Sequence, residues 1–201
     1  MHISEGVLSA PVLISGGALT AVGTAIGLKR LNYDRIMTVA ILSATFFVAS
    51  LVHVPLGPGS VHLVLNGLLG VVLGWACFPA ILTALLLQAV FFQYGGLVVL
   101  GVNTFNMAVP AILCFYLLRS WLKHPKLQAL AGFAVGFFSV LLSSLLVALA
   151  LALSDAGFIA TAKILLAAHL PIMIIEGCIT MFAVSFLARV QPEILQLGIN
   201  G

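Results

Sequence analysis

The amino-acid sequence predicts an all-α integral membrane protein, a bundle of about seven transmembrane helices. Of its 201 residues, 63% are hydrophobic and only 6% are charged, whereas a soluble domain carries about a quarter charged residues. The mean hydropathy is +1.28. The apolar runs are continuous and roughly 17–25 residues long, which is the length of a membrane-spanning helix and not of the shorter, alternating strands of a β-barrel.

Polar, proline-rich or glycine-rich breaks divide the chain into apolar segments. Helices are expected at about 8–28, 36–52, 61–77, 79–94, 97–118, 128–153 and 170–188, with a short interfacial helix at about 158–168. Ser60 is the expected N-cap of the third helix. Residues 1–201 are expected to form one transmembrane domain. It has two distinctive parts, the polar lead at 1–7 and a structured extracellular break at 53–62, where prolines and glycines prevent a regular helix.

The basic residues set the expected orientation of the bundle. Of the eight Lys and Arg residues, only Lys163 falls on one side of the predicted spans. Because basic residues are enriched in cytoplasmic loops, we expect the N-terminus outside and the C-terminus inside a prokaryotic plasma membrane. The basic residues on the cytoplasmic side are then Lys29, Arg30, Arg35, Arg119, Lys123, Lys126 and Arg189. This distribution accounts for the net charge of +3 without any role in nucleic-acid binding.

Two further features bear on processing and redox chemistry. Cys77, Cys114 and Cys178 lie far apart in apolar sequence, so we expect small buried side chains and not a disulfide or a thiolate site. No Lys or Arg precedes the first apolar run, so we expect no signal peptide and a mature chain that keeps Met1.

The first six residues, MHISEG, bring an unusual set of nitrogen donors together. The α-amine of Met1, the backbone nitrogen of His2 and the imidazole Nδ1 of His2 can close fused chelate rings around one metal ion. A deprotonated amide suits square-planar Ni(II) or Cu(II) and is compatible with Co(II). It also removes one unit of positive charge from the complex, which eases burial in an apolar bundle.

His62 is the candidate for the fourth nitrogen. It falls on the same expected face and at the expected start of the third helix, where the helix dipole disfavours an imidazolium. Purely structural roles, at a chain end for His2 and in a hydrogen-bonded cavity for His62, are the alternatives. Residues that could surround the metal and orient its ligands are His53, Asn66, Asn103, Asn106, His169 and Glu176.

His169 and Glu176 are about two helical turns apart in the sequence. Both side chains are therefore expected on one face of the last helix. A carboxylate inside a membrane is a candidate functional group by default, although a fixed hydrogen bond between helices would explain Glu176 equally well.

Four segments resemble the CbiM/NikM family: MHISEG at the start, GPGSVHLVLNG at 57–67, GVNTFNMA at 101–108 and HLPIMIIEG at 169–177. These proteins are the substrate-binding (S) components of energy-coupling-factor importers for cobalt and nickel. The resemblance covers essentially the whole chain. It implies a metal site at Met1, His2 and His62, formed when the N-terminal segment inserts into the bundle. It also implies a transmembrane coupling (T) subunit and two cytoplasmic ATPase subunits as partners, and it allows a small accessory membrane subunit.

The sequence indicates no catalytic activity of its own. It has no Walker A loop, no HExxH pair and no glycine-flanked serine elbow, so ATP hydrolysis is expected in a partner. Two other functions stay open. An S component for an organic micronutrient would not use the N-terminus, and a haem-binding membrane anchor would use two of His53, His62 and His169 as axial ligands. Nitrogen donors do not separate nickel from cobalt.

Overall fold

The computed structural model describes residues 2–56 and 59–195, with the backbone alone for residues 53–56 and 59–61. In this part of the chain seven α-helices and one β-hairpin follow one another. They are α1 (Ala10–Lys29), α2 (Ile36–Ala49), β1 (His53–Leu56), β2 (Gly59–His62), α3 (Asn66–Leu73), α4 (Cys77–Phe92), α5 (Leu100–Lys123), α6 (Gln128–Ser154) and α7 (Ile159–Val190). The prediction of a mainly helical membrane fold is confirmed.

The lengths and surfaces of the helices fit a membrane. Five helical stretches in the described residues are long and apolar enough to cross one: α1, Asn66–Phe92, α5, α6 and Ala156–Val190. Large apolar side chains face outward, with Ile14 73%, Leu117 70% and Phe182 69% exposed. In water such a surface would be unfavourable, whereas the acyl chains of lipids solvate it.

The stretch Asn66–Phe92 folds back on itself. The side-chain amide of Asn66 donates to the carbonyl oxygen of Met107 at 3.0 Å, and the Cys77 thiol lies 3.9 Å from the carbonyl oxygen of Ala108. In a straight helix Asn66 and Cys77 would be about 16 Å apart, yet both contact the same turn of α5. The chain reverses at Gly74, whose φ of 55° and ψ of −128° favour glycine, within a single 3₁₀ turn.

The expected third helix, at 61–77 with Ser60 as its N-cap, is wrong in its first turn. Residues Gly59–His62 form β2, which pairs antiparallel with β1 so that His53 lies opposite His62. α3 begins only at Asn66, after Leu65, whose φ of 53° is left-handed. A short apolar run does not distinguish strand from buried helix, and pairing with β1 decides in favour of the strand.

The separate interfacial helix expected at 158–168 is also wrong. α7 runs without a break from Ile159 to Val190 and contains Pro171. A proline inside a helix removes one backbone hydrogen bond, but membrane helices tolerate it where neighbouring helices pack against it. Here α6 lies along α7, and Gly132 and Gly136 let the two backbones approach closely.

Glycines also set the contact between α1 and α5. A Cβ on Gly16 would lie 2.5 Å from Val102 Cγ2 and 3.0 Å from Val102 Cα. Thr20 Oγ1 donates to the Gly101 carbonyl oxygen at 2.6 Å. Small residues permit such close packing between membrane helices, where no hydrophobic driving force assists association. α1 is thereby held against the start of α5.

Substituting Gly16 by alanine should destabilise the bundle by about 1–3 kcal/mol, because the new methyl group overlaps Val102 on α5. The adjacent Gly17 is a matched control, since a Cβ there meets nothing within 4 Å. Gly17→Ala should leave stability unchanged or raise it by about 0.5–1 kcal/mol through helix propensity. SDS-induced unfolding in detergent, followed by tryptophan fluorescence, measures both. Equal effects of the two substitutions would contradict this account of the contact.

Candidate metal centre

The segment before α1 is anchored in the bundle by the buried side chains of Ile3 and Leu8, while residues 4–6 are exposed. Ile3 is 4% exposed and packs in an apolar cluster with side chains from α5 and α6, among them Val102 and Val147. The Ser9 N–H donates to Ser154 Oγ at 3.1 Å. Gly6, with φ of 79°, supplies the turn that directs the segment inward.

Asn103 holds this segment by its backbone. The Ile3 N–H donates to Asn103 Oδ1 at 3.0 Å, and Asn103 Nδ2 donates to the Ile3 carbonyl oxygen at 3.1 Å. One amide side chain thus makes the two bonds that a neighbouring β-strand would make. Since Asn103 is 2% exposed and lies in the first turns of α5, the position of Ile3, and hence of His2 beside it, is fixed relative to the bundle.

A second anchor comes from the loop between α4 and α5. The Val98 N–H donates to Glu5 Oε1 at 3.0 Å. A Cβ on Gly96 would overlap the Glu5 side chain, and one on Gly95 would lie 2.9 Å from Asn103 Nδ2. From the sequence this loop is predicted only as a helix break; its contact with the N-terminal segment was not predicted. The adjacent glycines just before α5, with a glutamate in the N-terminal motif, were the available signal.

The two histidines singled out from the sequence lie side by side. The rings of His2 and His62 stack with centroids 4.8 Å apart and planes inclined by 19°. The Tyr94 ring also stacks on His2, at a centroid distance of 6.1 Å. Imidazole nitrogens bind transition metals at about 2.0–2.1 Å through lone pairs in the ring plane, so the two stacked rings would have to rotate before both could bind one ion.

A backbone carbonyl sets the tautomer of His62. Its Nδ1 lies 2.8 Å from the carbonyl oxygen of Leu63, and a carbonyl oxygen can only accept a hydrogen bond. The neutral ring therefore carries its proton on Nδ1 and its lone pair on Nε2, the arrangement that metal-binding histidines usually show. The expectation that a helix dipole keeps this ring neutral is wrong, because His62 ends a strand.

The three asparagines have different partners. Asn66 donates to the Met107 carbonyl oxygen at 3.0 Å and to Ser143 Oγ at 2.9 Å, so it joins α3 to α5 and α6. Asn103 binds the backbone of Ile3, as described above. Asn106 is buried, and its Nδ2 has no hydrogen-bond partner among the described residues. The ring N–H of His62 is thus donated to a carbonyl and not to an asparagine.

His169 and Glu176 are both buried on one face of α7, at 4% and 0% exposure. His169 Nδ1 donates to the Leu165 carbonyl oxygen of its own helix at 2.7 Å, and its Nε2 has no partner among the described residues. Glu176 accepts hydrogen bonds from the backbone N–H groups of Val64 and Leu65. The side chain of His53 and all of Met1 lie outside the described residues.

The described residues limit what kind of metal site can exist. Nowhere among them do three or more His, Cys, Asp or Glu side chains converge as a metal site would require. Two adjacent histidines alone do not complete a coordination shell. A site at His2 and His62 would therefore need further donors, and the backbone nitrogen of His2 is the nearest in sequence.

This arrangement defines a multi-pass helical membrane protein whose N-terminal segment is folded back into the bundle beside a hairpin histidine. The chain belongs to the CbiM family, since the model of the cobalt uptake substrate-specific transmembrane region matches residues 2–194. It is a multi-pass protein of the prokaryotic plasma membrane.

Relatives and solved structures agree with this assignment. A Haemophilus influenzae protein named for metal transport is 44% identical over 200 residues, covering 97% of each chain. The fused nickel transport protein NikMN of Rhodobacter capsulatus is 36% identical over 115 residues, covering 54% of this chain and 33% of its own. The crystal structure of a transition metal transporter has a TM-score of 0.81 and 29% identity, covering 94% of this chain and 93% of its own.

Replacing Asn103 by leucine should release the N-terminal segment while the bundle stays folded. The substitution leaves the N–H and the carbonyl of Ile3 without partners, which costs about 1–3 kcal/mol for each buried group. Amide exchange in residues 2–9, measured by hydrogen–deuterium exchange and mass spectrometry, should accelerate at least about tenfold.

Thr104→Val is the matched control for this experiment. Thr104 is equally buried, but its hydroxyl donates to the Leu100 carbonyl oxygen of its own helix at 2.8 Å. Exchange in residues 2–9 should not change in this variant. If Asn103→Leu also left the exchange unchanged, the clamp on Ile3 would not hold the segment.

Proposed function

We propose that this chain is the substrate-capture subunit of an ATP-driven importer for Ni(II) or Co(II). Its family is defined by cobalt uptake, and relatives are named for cobalt and for nickel transport. The observation that carries the proposal is the stacked pair of His2 and His62, held by the clamp of Asn103 on Ile3.

Four nitrogens bind the ion in this proposal. They are the α-amine of Met1, the deprotonated backbone amide of His2, the imidazole Nδ1 of His2 and Nε2 of His62. The tautomer set by the Leu63 carbonyl supports the last of these. The deprotonated amide of His2 makes this donor set favourable in the bundle, because it lowers the net charge of the metal complex that must be buried. Such a donor set favours square-planar coordination.

The proposed topology has one crossing for each α-helix, with the N-terminus outside and the C-terminus in the cytoplasm. The reversal at Gly74 supports it, because α3 and α4 then run in opposite directions. Residues 63–65, which precede α3, add to the length of the short third crossing. The distribution of Lys and Arg gives the direction. The N-terminal segment and the β-hairpin then face the outside, from which the ion is captured.

Energy for import comes from partners in this proposal. They are a transmembrane coupling subunit and two cytoplasmic ATPase subunits; the resemblance also allows a small accessory membrane subunit. The lack of any phosphate-binding motif in this chain and the fused relative in Rhodobacter capsulatus are consistent with a multi-component transporter. Within this chain, Gly6 is the hinge on which the N-terminal segment opens, and Pro11 in the first turn of α1 limits how far that helix unwinds.

Replacing His2 by alanine should weaken nickel binding by at least about two orders of magnitude. The substitution removes the imidazole Nδ1, so the six-membered ring of the fused chelate is lost together with its preorganisation. Isothermal titration of the purified full chain with Ni(II) or Co(II) measures the affinity. His124→Ala, a substitution in an exposed loop, should have no effect.

Binding that survives His2→Ala unchanged would overturn the proposed site. It would instead favour a substrate that does not use the N-terminus, such as an organic micronutrient. A Soret band in the purified protein would favour the haem-binding alternative. Either result leaves the family membership standing and changes only the chemistry of the site.

His62→Ala should remove the fourth nitrogen, so that nickel no longer gives the absorption spectrum of a four-nitrogen, square-planar complex. The affinity should fall by about 10–100-fold or more. His124→Ala, a substitution in the exposed loop, is the control and should behave as the unaltered chain does. Full affinity in the His62 variant would mean that another group completes the coordination plane.

A further inference from the structure

Glu176 is a buried carboxylate that binds the backbone of a distant segment. It lies in the middle of α7 with 0% exposure. Its Oε1 accepts hydrogen bonds from the N–H groups of Val64 and Leu65, the latter at 2.9 Å, and its Oε2 also lies 2.9 Å from the Leu65 nitrogen. Both oxygens are thus engaged by residues 63–65, the connection between β2 and α3.

The N–H groups of Val64 and Leu65 take part neither in the β1–β2 pairing nor in the hydrogen bonds of α3. They lie after the last paired residue of β2 and before the first turn of α3, and the N-cap of α3 makes no side-chain cap of its own. Val64 and Leu65 are 0% and 6% exposed, so water does not replace the missing bonds. The carboxylate of Glu176 therefore acts as the cap of α3 from another helix, where the helix dipole favours an anion.

The same connection also controls His62. The Val64 N–H that binds Glu176 and the Leu63 carbonyl that accepts from His62 Nδ1 belong to one peptide group. A peptide group is planar and rigid, so fixing its N–H end fixes the direction of its carbonyl end. Two hydrogen bonds thus connect the Glu176 carboxylate, through the peptide group, to the imidazole of His62. The Nε2 atom of His62 lies at the end of this series.

We propose that Glu176 is the positioning residue of His62 and acts through the peptide group that joins Leu63 to Val64. This role rests on the proposed function, in which His62 Nε2 binds the metal. The carboxylate polarises the peptide group, which strengthens the carbonyl as an acceptor and makes His62 a better donor to the ion. Metal-binding histidines often donate directly to a carboxylate; here a peptide group is interposed.

The packing of α3, α6 and α7 around Glu176 fixes the position of its carboxylate relative to residues 63–65. Gly136 on α6 has no side chain where α7 crosses it, and a Cβ there would overlap the Glu176 carbonyl oxygen. A Cβ on Gly67 of α3 would lie 3.0 Å from Gly136 Cα. α3, α6 and α7 therefore meet at one point, and any relative shift of α7 is passed on to the connection and to His62.

The test is the substitution Glu176→Gln in the full chain, with Ni(II) as the probe. The amide has nearly the same shape, and its oxygen can still accept from Val64 and Leu65. It carries no charge, however, and its NH₂ group cannot accept the second bond that Leu65 makes, the one to Oε2. Nickel affinity should fall by about 10–100-fold, the usual effect of changing a group that orients a metal ligand. The absorption bands of bound nickel should shift, because His62 is no longer held in the coordination plane.

Thr180→Val is the matched control. Thr180 lies one turn further along the same buried face of α7, and its hydroxyl has no hydrogen-bond partner among the described residues. This variant should bind nickel as the unaltered chain does. If it lost as much affinity as Glu176→Gln, the effect would be one of packing along α7, and the positioning role would be overturned.

A double-mutant cycle separates positioning from general stability. If Glu176 acts through His62, adding Glu176→Gln to His62→Ala should not weaken the residual nickel binding further. Additive losses would overturn the proposal. Should Glu176→Gln fail to fold, Glu176→Asp keeps the charge on a shorter side chain, and the same cycle is measured with it.

Hydrogen exchange distinguishes failure of this proposal from failure of the proposed function. Exchange at Val64 and Leu65 should accelerate in Glu176→Gln whether or not metal binds. If the unaltered chain bound no nickel while this exchange still responded, the proposed function would be wrong and Glu176 would only anchor the connection. If nickel bound through His62 but Glu176→Gln changed neither affinity nor spectrum, the positioning role alone would be wrong.

Discussion

The need to satisfy backbone groups inside an apolar bundle governs the structure around the candidate site. Two stretches of irregular chain enter the bundle, the N-terminal segment and residues 63–65, and lipid or apolar side chains cannot bind their N–H and carbonyl groups. Asn103 satisfies the first stretch and Glu176 the second. Each polar side chain is tolerated at its depth because it replaces the partners that a helix or sheet would have supplied. His2 and His62 meet because both stretches are held in this way.

Much of this fold could be predicted from the sequence, because composition and the lengths of apolar runs are strong signals of membrane helices. Boundaries were less certain. The third helix was placed too early, since a run such as VHLVL fits a strand as well as a buried helix and the deciding partner, β1, lies outside the run. The break expected between residues 168 and 170 was also wrong, because α7 runs through this region and through Pro171 without interruption, as packed membrane helices allow.

The histidine pair at the candidate site followed from the residue types at the chain end and in the loop at 53–62, and the structure brings His2 and His62 together. The hydrogen-bond partners of Asn103 and Glu176 could not be predicted from the sequence. Whether Asn103 holds a backbone or a ring, and whether Glu176 faces α3 or another helix, depends on contacts between segments about 100 residues apart in the chain. One sequence contains no record of such contacts, so residue type alone left both roles open.

The reversal at Gly74 has a consequence for the thickness of the bundle. All residues of α3 are buried, and its far end reaches the polar loop after α1, where the Arg35 guanidinium donates to the Val72 carbonyl oxygen at 2.7 Å. α3 therefore joins the connection below His62 to the polar loop on the opposite side of the bundle. Its eight residues span only about 12 Å, less than half of the roughly 30 Å hydrocarbon core. The two polar ends of α3 are correspondingly close together.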